Sequence, residues 1–110
     1  MFQIINMQDI IEKAWENREL LNDSQTVKTI EAVIEGLDKG EIRVAEPNEN
    51  GEWMVHEWVK KAVILYFPTR KMETIEVGPF EFHDKIKLKT GYEELGVRVV
   101  PHAIARHGSF

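Results

Sequence analysis

Arg98 is the residue whose placement most suggests chemistry. In the stretch "GVRVV", Val97 and Val99 alternate with Arg98 and Val100 as in a half-buried strand. A guanidinium held among apolar neighbours is costly unless it meets an anion. The sequence leaves two interpretations open, an ion pair with one of the 19 acidic residues of the chain or a bidentate clamp for a ligand that carries a carboxylate.

The histidines do not form a metal-binding pattern. They stand at positions 56, 83, 102 and 107, and none forms a pair at the helical spacing of an HExxH motif. His102 and His107 lie in an irregular segment after Pro101, where surface or packing histidines are the better interpretation. We therefore predict no metal site.

Nucleophilic and phosphate-binding motifs are also absent from the sequence. The two serines, Ser24 and Ser109, lack a GxSxG motif, and Ser24 is predicted to cap a helix. The glycines at 36, 40 and 51 fit a helix end and a hairpin turn instead of a phosphate loop. The tryptophans at 15, 53 and 58 lie on apolar faces, which favours core packing over a ligand pocket.

Length and composition indicate one ordinary globular domain. The chain has 110 residues, of which 43% are hydrophobic and 30% charged. A net charge of -5, with lysines scattered among glutamates, argues against nucleic-acid and membrane partners. The lack of cysteine excludes disulfides, and the N-terminus has no basic region of a secretory signal, so we expect a cytoplasmic location.

Two amphipathic helices are predicted in the first 40 residues. Residues 3–20 carry an apolar face, and a second helix follows the cap residues at 22–24 and ends at Lys39-Gly40. The apolar positions at spacings of three and four in the first helix are Ile4, Met7, Ile11, Ala14 and Trp15, and those in the second are Val27, Ile30, Val33, Ile34 and Leu37.

The rest of the chain mixes short strands with a third helix, so the fold class is predicted to be α+β. Alternation at 42–45 and 53–55 around Asn50-Gly51 predicts a hairpin, and Trp58, Ala62 and Leu65 share the face of a helix that Pro68 ends. From residue 73 onward we expect short antiparallel strands packed over the helices, with a break at 78–79 and a final strand at 97–100.

Two stretches of the sequence carry a resemblance to a known family. "RVAEPNENGEWMVHEWVKKAVILYF" and "GVRVVPHAIARHGSF", with the element "DKIKLK" at 84–89 between them, resemble the N-terminal domain of the bacterial tetrahydrodipicolinate N-succinyltransferases of diaminopimelate and lysine synthesis. The resemblance extends over essentially all 110 residues. No role is transferred to Lys87 or His102, where members of that family commonly carry proline.

The resemblance implies a domain boundary. Residues 1–100 would be the N-terminal α+β domain, and residues 101–110 would begin the connection into a left-handed parallel β-helix that carries the acyl-CoA groove. No hexapeptide repeat of such a β-helix occurs in this sequence. The chain is therefore expected to be an N-terminal fragment of a longer protein.

The resemblance also implies a function. The full enzyme would be a cytoplasmic homotrimer that transfers succinyl from its co-substrate succinyl-CoA to the ring-opened dicarboxylate. The arginine of the G-x-R-V-V-P motif that contacts the dicarboxylate substrate corresponds to Arg98. The fragment itself would have no catalytic residue, bind no cofactor and be inactive. The alternative from another class is a free-standing acidic module that binds a protein partner through a strand edge or its apolar C-terminal end.

Overall fold

The structure of the protein is a computed structural model that describes residues 4–110, with side chains from residue 6 onward. Its elements combine helices with short antiparallel strands, as predicted for an α+β fold. They are, in chain order, α1 (Ile4–Glu16), α2 (Ser24–Asp38), β1 (Ala45–Pro47), β2 (Trp53–Val55), α3 (Glu57–Tyr66), β3 (Glu73–Val77), β4 (Phe80–Asp84) and α4 (Tyr92–Leu95), with 3-10 turns at Arg18–Asn22 and Phe67–Thr69.

The hydrophobic core lies between α1, α2 and α3. With the exception of Ile86, every buried hydrophobic residue found between residues 6 and 110 belongs to one of these three helices. Burial of this apolar surface is the main source of stability. Most predicted core residues of the three helices are buried, while Trp15 and Val27 are half-buried and the side chain of Ile4 lies outside the described residues. None of the helices within 4–110 is long and apolar enough to cross a bilayer.

The first helix ends earlier than the prediction of residues 3–20. Asn17 leaves the helical conformation, with φ -134° and ψ 98°, and its side-chain oxygen accepts a hydrogen bond from the backbone N–H of Glu19 at 3.2 Å. An asparagine that binds the backbone locally competes with the helix. The residues from 18 to 22 therefore continue as a separate 3-10 turn.

The N-cap of α2 is Asp23, so the prediction that Ser24 caps this helix is wrong. One Asp23 carboxylate oxygen accepts from the backbone N–H of Thr26 at 3.0 Å and from its hydroxyl at 3.1 Å. Ser24 is the first residue of the helix. Asp23 has the extended backbone conformation that an N-cap needs, and its carboxylate also interacts favourably with the N-terminal end of the helix dipole.

The Asp23 cap should contribute measurably to the stability of the chain. Replacing Asp23 with alanine should lower the free energy of unfolding by about 1 kcal/mol, since the amide of Thr26 loses its acceptor. Ser24→Ala is the matched control and should change stability by less than about 0.5 kcal/mol. Urea denaturation of the two variants compares them directly. A larger loss for Ser24→Ala than for Asp23→Ala would contradict the capping assignment.

The first hairpin forms as predicted, but its first strand begins later than predicted and the hairpin does not contribute to the core. Ala45 pairs with Val55 and Pro47 with Trp53, so Ile42 and Val44 precede the ladder. The prediction that Trp53 packs in the core is wrong, because its side chain is 66% exposed. The hairpin is a two-stranded sheet that contributes no buried residue, and the Arg43 guanidinium lies 6.0 Å from the Trp53 ring.

The second hairpin confirms the predicted strands around Gly78-Pro79 but not their packing. β3 and β4 pair antiparallel through five residues each, and neither strand contains a buried residue. The expectation that these strands pack over the helices is therefore wrong, and Ile86, which follows β4, provides the apolar contact with the helical core. Residues 97–100 are also not a strand, since no described strand lies beside them.

Candidate functional site

Arg98 lies on an exposed segment without regular secondary structure, directly after α4. Gly96 ends that helix with φ +70°, and the N–H of Val97 donates to the carbonyl of Tyr92 at 3.0 Å. Among residues 6–110, no carboxylate forms an ion pair with Arg98 and no side-chain hydrogen bond involves it. The guanidinium is therefore available to a ligand in this structure.

A cavity of about 300 Å³ lies beside Arg98. Its wall is mainly apolar, and the polar side chains on it are those of Lys89, Tyr92, Arg98 and Ser109. All 19 acidic residues of the chain lie between residues 6 and 110, and none of them lines the cavity. A concave, largely apolar site with a few polar groups is the usual form of a small-molecule site, and an arginine without an ion-pair partner on a wall without carboxylates favours an anionic ligand.

One wall of this cavity is formed by residues 103–110, which we call the C-terminal strap. The strap runs antiparallel to residues 87–89, with Leu88 and Arg106 bridged. The N–H of Lys89 donates to the carbonyl of Ala105 at 3.0 Å, and the N–H of His107 donates to the carbonyl of Lys87 at 2.9 Å. The strap is therefore attached to the segment after β4 through its backbone.

Arg106 attaches the strap to the second hairpin. Its Nη1 donates to Oδ2 of Asp84 at 3.0 Å, and its guanidinium lies 5.5 Å from the centre of the Phe67 ring. The backbone N–H of Lys85 and the guanidinium of Arg106 hold the pKa of Asp84 below its ordinary value. Arg106 is thus already paired with a carboxylate of the chain, unlike Arg98.

Asp38, the last residue of α2, attaches the strap to the helical core. Its Oδ1 accepts from Lys89 Nζ at 2.7 Å and from the backbone N–H of Gly108 at 2.9 Å. Burial raises the pKa of the Asp38 carboxyl, but the hydrogen bonds from Lys89 and Gly108 and the nearby His107 lower it by more, so the net pKa lies below the ordinary value. Asp38 is therefore a carboxylate at neutral pH.

Glu35, Asp38 and His107 come close enough together to suggest a metal site, but their surroundings do not suit one. The ring of His107 lies 3.8 Å from Glu35 Oε2 and 3.5 Å from Asp38 Oδ1. The same Asp38 oxygen already binds the Lys89 ammonium, and a second cation there would be repelled. This cluster is better explained as the ionic attachment of the strap.

The structure brings together residues that sequence reasoning did not connect. Arg98 was identified from the sequence, but Lys89 and Tyr92 were not recognised as neighbours of its cavity. Asp38 and Lys89 are 51 residues apart, and Asp38 and Gly108 are 70 apart. Neither pair has a local spacing signal. His102, by contrast, is exposed, as expected for a surface histidine.

Comparison with known proteins places the chain in a family. The family model described as "Tetrahydrodipicolinate N-succinyltransferase N-terminal" matches residues 6–69, more than half of the chain. The chain belongs to this family. The resemblance seen in the sequence is thereby confirmed. The matched residues include α1 from residue 6, the other two core helices and the first hairpin, whereas Arg98 and its cavity lie beyond them.

Curated relatives of this chain are longer than it is. A 2,3,4,5-tetrahydropyridine-2,6-dicarboxylate N-succinyltransferase of Legionella pneumophila (strain Paris) is 44% identical over 115 residues, which cover 96% of this chain and 41% of the relative. The enzymes of the same name from Paracidovorax citrulli (strain AAC00-1) and Coxiella burnetii (strain Dugway 5J108-111) are 44% and 42% identical, with 42% and 41% of their length covered. The chain thus spans about two fifths of the length of these relatives.

Proposed function

We propose that this chain is the substrate-side domain of a tetrahydrodipicolinate N-succinyltransferase and that Arg98 binds a carboxylate of the dicarboxylate substrate. Residues 1–100 would form the domain, and residues 101–110 would begin its connection to the part that binds succinyl-CoA. The single observation that carries the proposal is the exposed Arg98, which has no ion-pair partner among residues 6–110 and lies beside a cavity that none of their carboxylates lines. The relatives' substrate is named as a dicarboxylate, which fits such a cavity.

The chemistry of the proposed reaction assigns this domain to binding and not to catalysis. Water opens the ring of the substrate at its C=N bond and produces an amine. The amine forms an amide bond with the succinyl carbonyl, the thioester C–S bond breaks, and coenzyme A leaves as the thiol. A general base must accept the proton of the amine. Since no carboxylate between residues 6 and 110 lines the Arg98 cavity, we assign that base to the remainder of the enzyme. By the family resemblance, the remainder would also carry the succinyl-CoA site.

A chimera provides the test. This chain would replace the matching region of the Legionella pneumophila relative, with the remaining three fifths of that enzyme unchanged. We expect release of coenzyme A that depends on both tetrahydrodipicolinate and succinyl-CoA, from a homotrimer measured by sedimentation. The 110-residue chain alone should give no turnover and serves as the control.

A folded but inactive chimera would contradict the proposal. It would favour the other candidate, an acidic module that binds a protein partner. The observation that favours this module is the exposure of Trp53, Met54 and Val55 on the first hairpin, because contiguous exposed apolar residues often mark interaction surfaces.

A further inference from the structure

We propose that Asp38 and Lys89 form a positioning pair that holds the C-terminal strap as a wall of the Arg98 cavity. The pair joins three parts of the fold: the end of α2, the segment after β4, and the strap through Gly108. Its role in substrate binding rests on the proposed function. Its role in holding the strap does not, and the two are tested separately.

Lys89 is engaged with α2 and is therefore not a second ligand for the substrate. Its Nζ donates to Oδ1 of Asp38 at 2.7 Å and to the backbone carbonyl of the same residue at 3.0 Å. The side chain is only 9% exposed. Besides satisfying a carbonyl at the end of α2, the ammonium has a favourable interaction with the C-terminal end of the helix dipole. Of the two cations that line the cavity, Arg98 is the one left to bind an anion.

Asp38 connects Lys89 to the C-terminal strap. Its carboxylate, 18% exposed, binds the N–H of Gly108 with the same oxygen that binds Lys89. Gly108 has φ +107°, and a Cβ there would lie 3.2 Å from Ile34 Cγ2, so the strap passes close to α2 at this point. Loss of Asp38 would remove an acceptor from Gly108 and leave the Lys89 ammonium poorly solvated. Ser109 and Phe110, which follow Gly108, line the cavity.

Hydrogen exchange on the 110-residue chain tests the attachment without any substrate. In Asp38→Ala and in Lys89→Met, exchange of the strap amides of His107 and Gly108 should become about 10- to 100-fold faster, the scale of losing a charged hydrogen bond. Amides in the middle of α1 and α3 should keep their protection. Lys61→Met is the matched control, because it removes the Lys61–Glu12 ion pair of 2.6 Å on the helical core and should leave the strap unchanged.

The double variant Asp38→Ala/Lys89→Met decides whether the two residues act as one unit. If they do, its strap exchanges no faster than that of the worse single variant, because both changes remove the same contact. Unchanged strap exchange in the single variants, or effects that simply add in the double variant, would overturn the proposal.

The chimera tests the effect on substrate binding. Lys89→Met should raise KM for tetrahydrodipicolinate about tenfold or more, since a displaced wall misplaces the bound substrate, and leave KM for succinyl-CoA unchanged. A role limited to overall stability would instead lower the active fraction, and therefore apparent kcat, at constant KM. That second result would overturn the positioning role, whereas an inactive unmodified chimera would count against the proposed function and leave the exchange result valid.

Discussion

In the chimera, Arg98→Ala should weaken binding of the dicarboxylate substrate by about 1 to 3 kcal/mol, which is the range for losing a hydrogen bond to a charged group. The guanidinium is exposed beside the cavity and has no internal carboxylate partner among residues 6–110. Its removal therefore breaks no ion pair of the folded chain. The measurement is KM for tetrahydrodipicolinate alongside KM for succinyl-CoA, and only the first should rise.

Two further variants separate charge from geometry. Arg98→Lys retains the charge but lacks the planar fork that binds a carboxylate through two hydrogen bonds, so it should restore only part of the affinity. Arg43→Ala is the control, because Arg43 is an exposed arginine near Trp53 and outside the Arg98 cavity. An unchanged KM for the dicarboxylate in Arg98→Ala would remove Arg98 from the site.

Leu65→Ala should lower the free energy of unfolding by about 2 to 5 kcal/mol. Leu65 is fully buried on the face of α3 that contacts the other two core helices, and truncation would leave a cavity there. Domains of this size have total stabilities of about 5 to 15 kcal/mol, so the loss would be a large fraction of the whole. Urea denaturation followed by tryptophan fluorescence or circular dichroism provides the measurement.

The neighbouring residue provides the matched control for this prediction. Ile64 lies one position earlier on the same helix and is 41% exposed. Ile64→Ala should lower the free energy of unfolding much less than Leu65→Ala does, because the Ile64 side chain fills less of the packed interior. Equal losses at the two positions would show that α3 presents a different face to the core.

The helical half of the fold was predictable because its signal is local. Apolar residues at spacings of three and four form one face of each helix, and that face is buried whichever element packs against it. Ile11, Ile30 and Leu65 are buried as expected. The motifs of the sequence likewise indicated the family that the comparisons confirm.

The wrong predictions concern residues at which two local signals compete and elements that need a contact from another part of the fold. Ser24 and Asp23 both offer a capping oxygen, and only the backbone geometry at the start of α2 selects Asp23. The alternation at 97–100 is that of a strand, but a strand needs a neighbour with which to pair, and none is described beside it. Trp53 fits the alternation of its hairpin, yet its side chain stays exposed because the residues described from 6 to 110 do not cover it.

At the candidate site, the sequence alone identified Arg98 as an unusual cation and left its partner open. Only the tertiary structure brought Lys89 and Gly108 to Asp38 and left Arg98 beside a cavity without carboxylates. The physical reason is the range of the interactions. The spacing of apolar residues indicates which face of an element is apolar. The contacts of the Asp38 side chain, by contrast, come from residues that are 51 and 70 positions away along the chain.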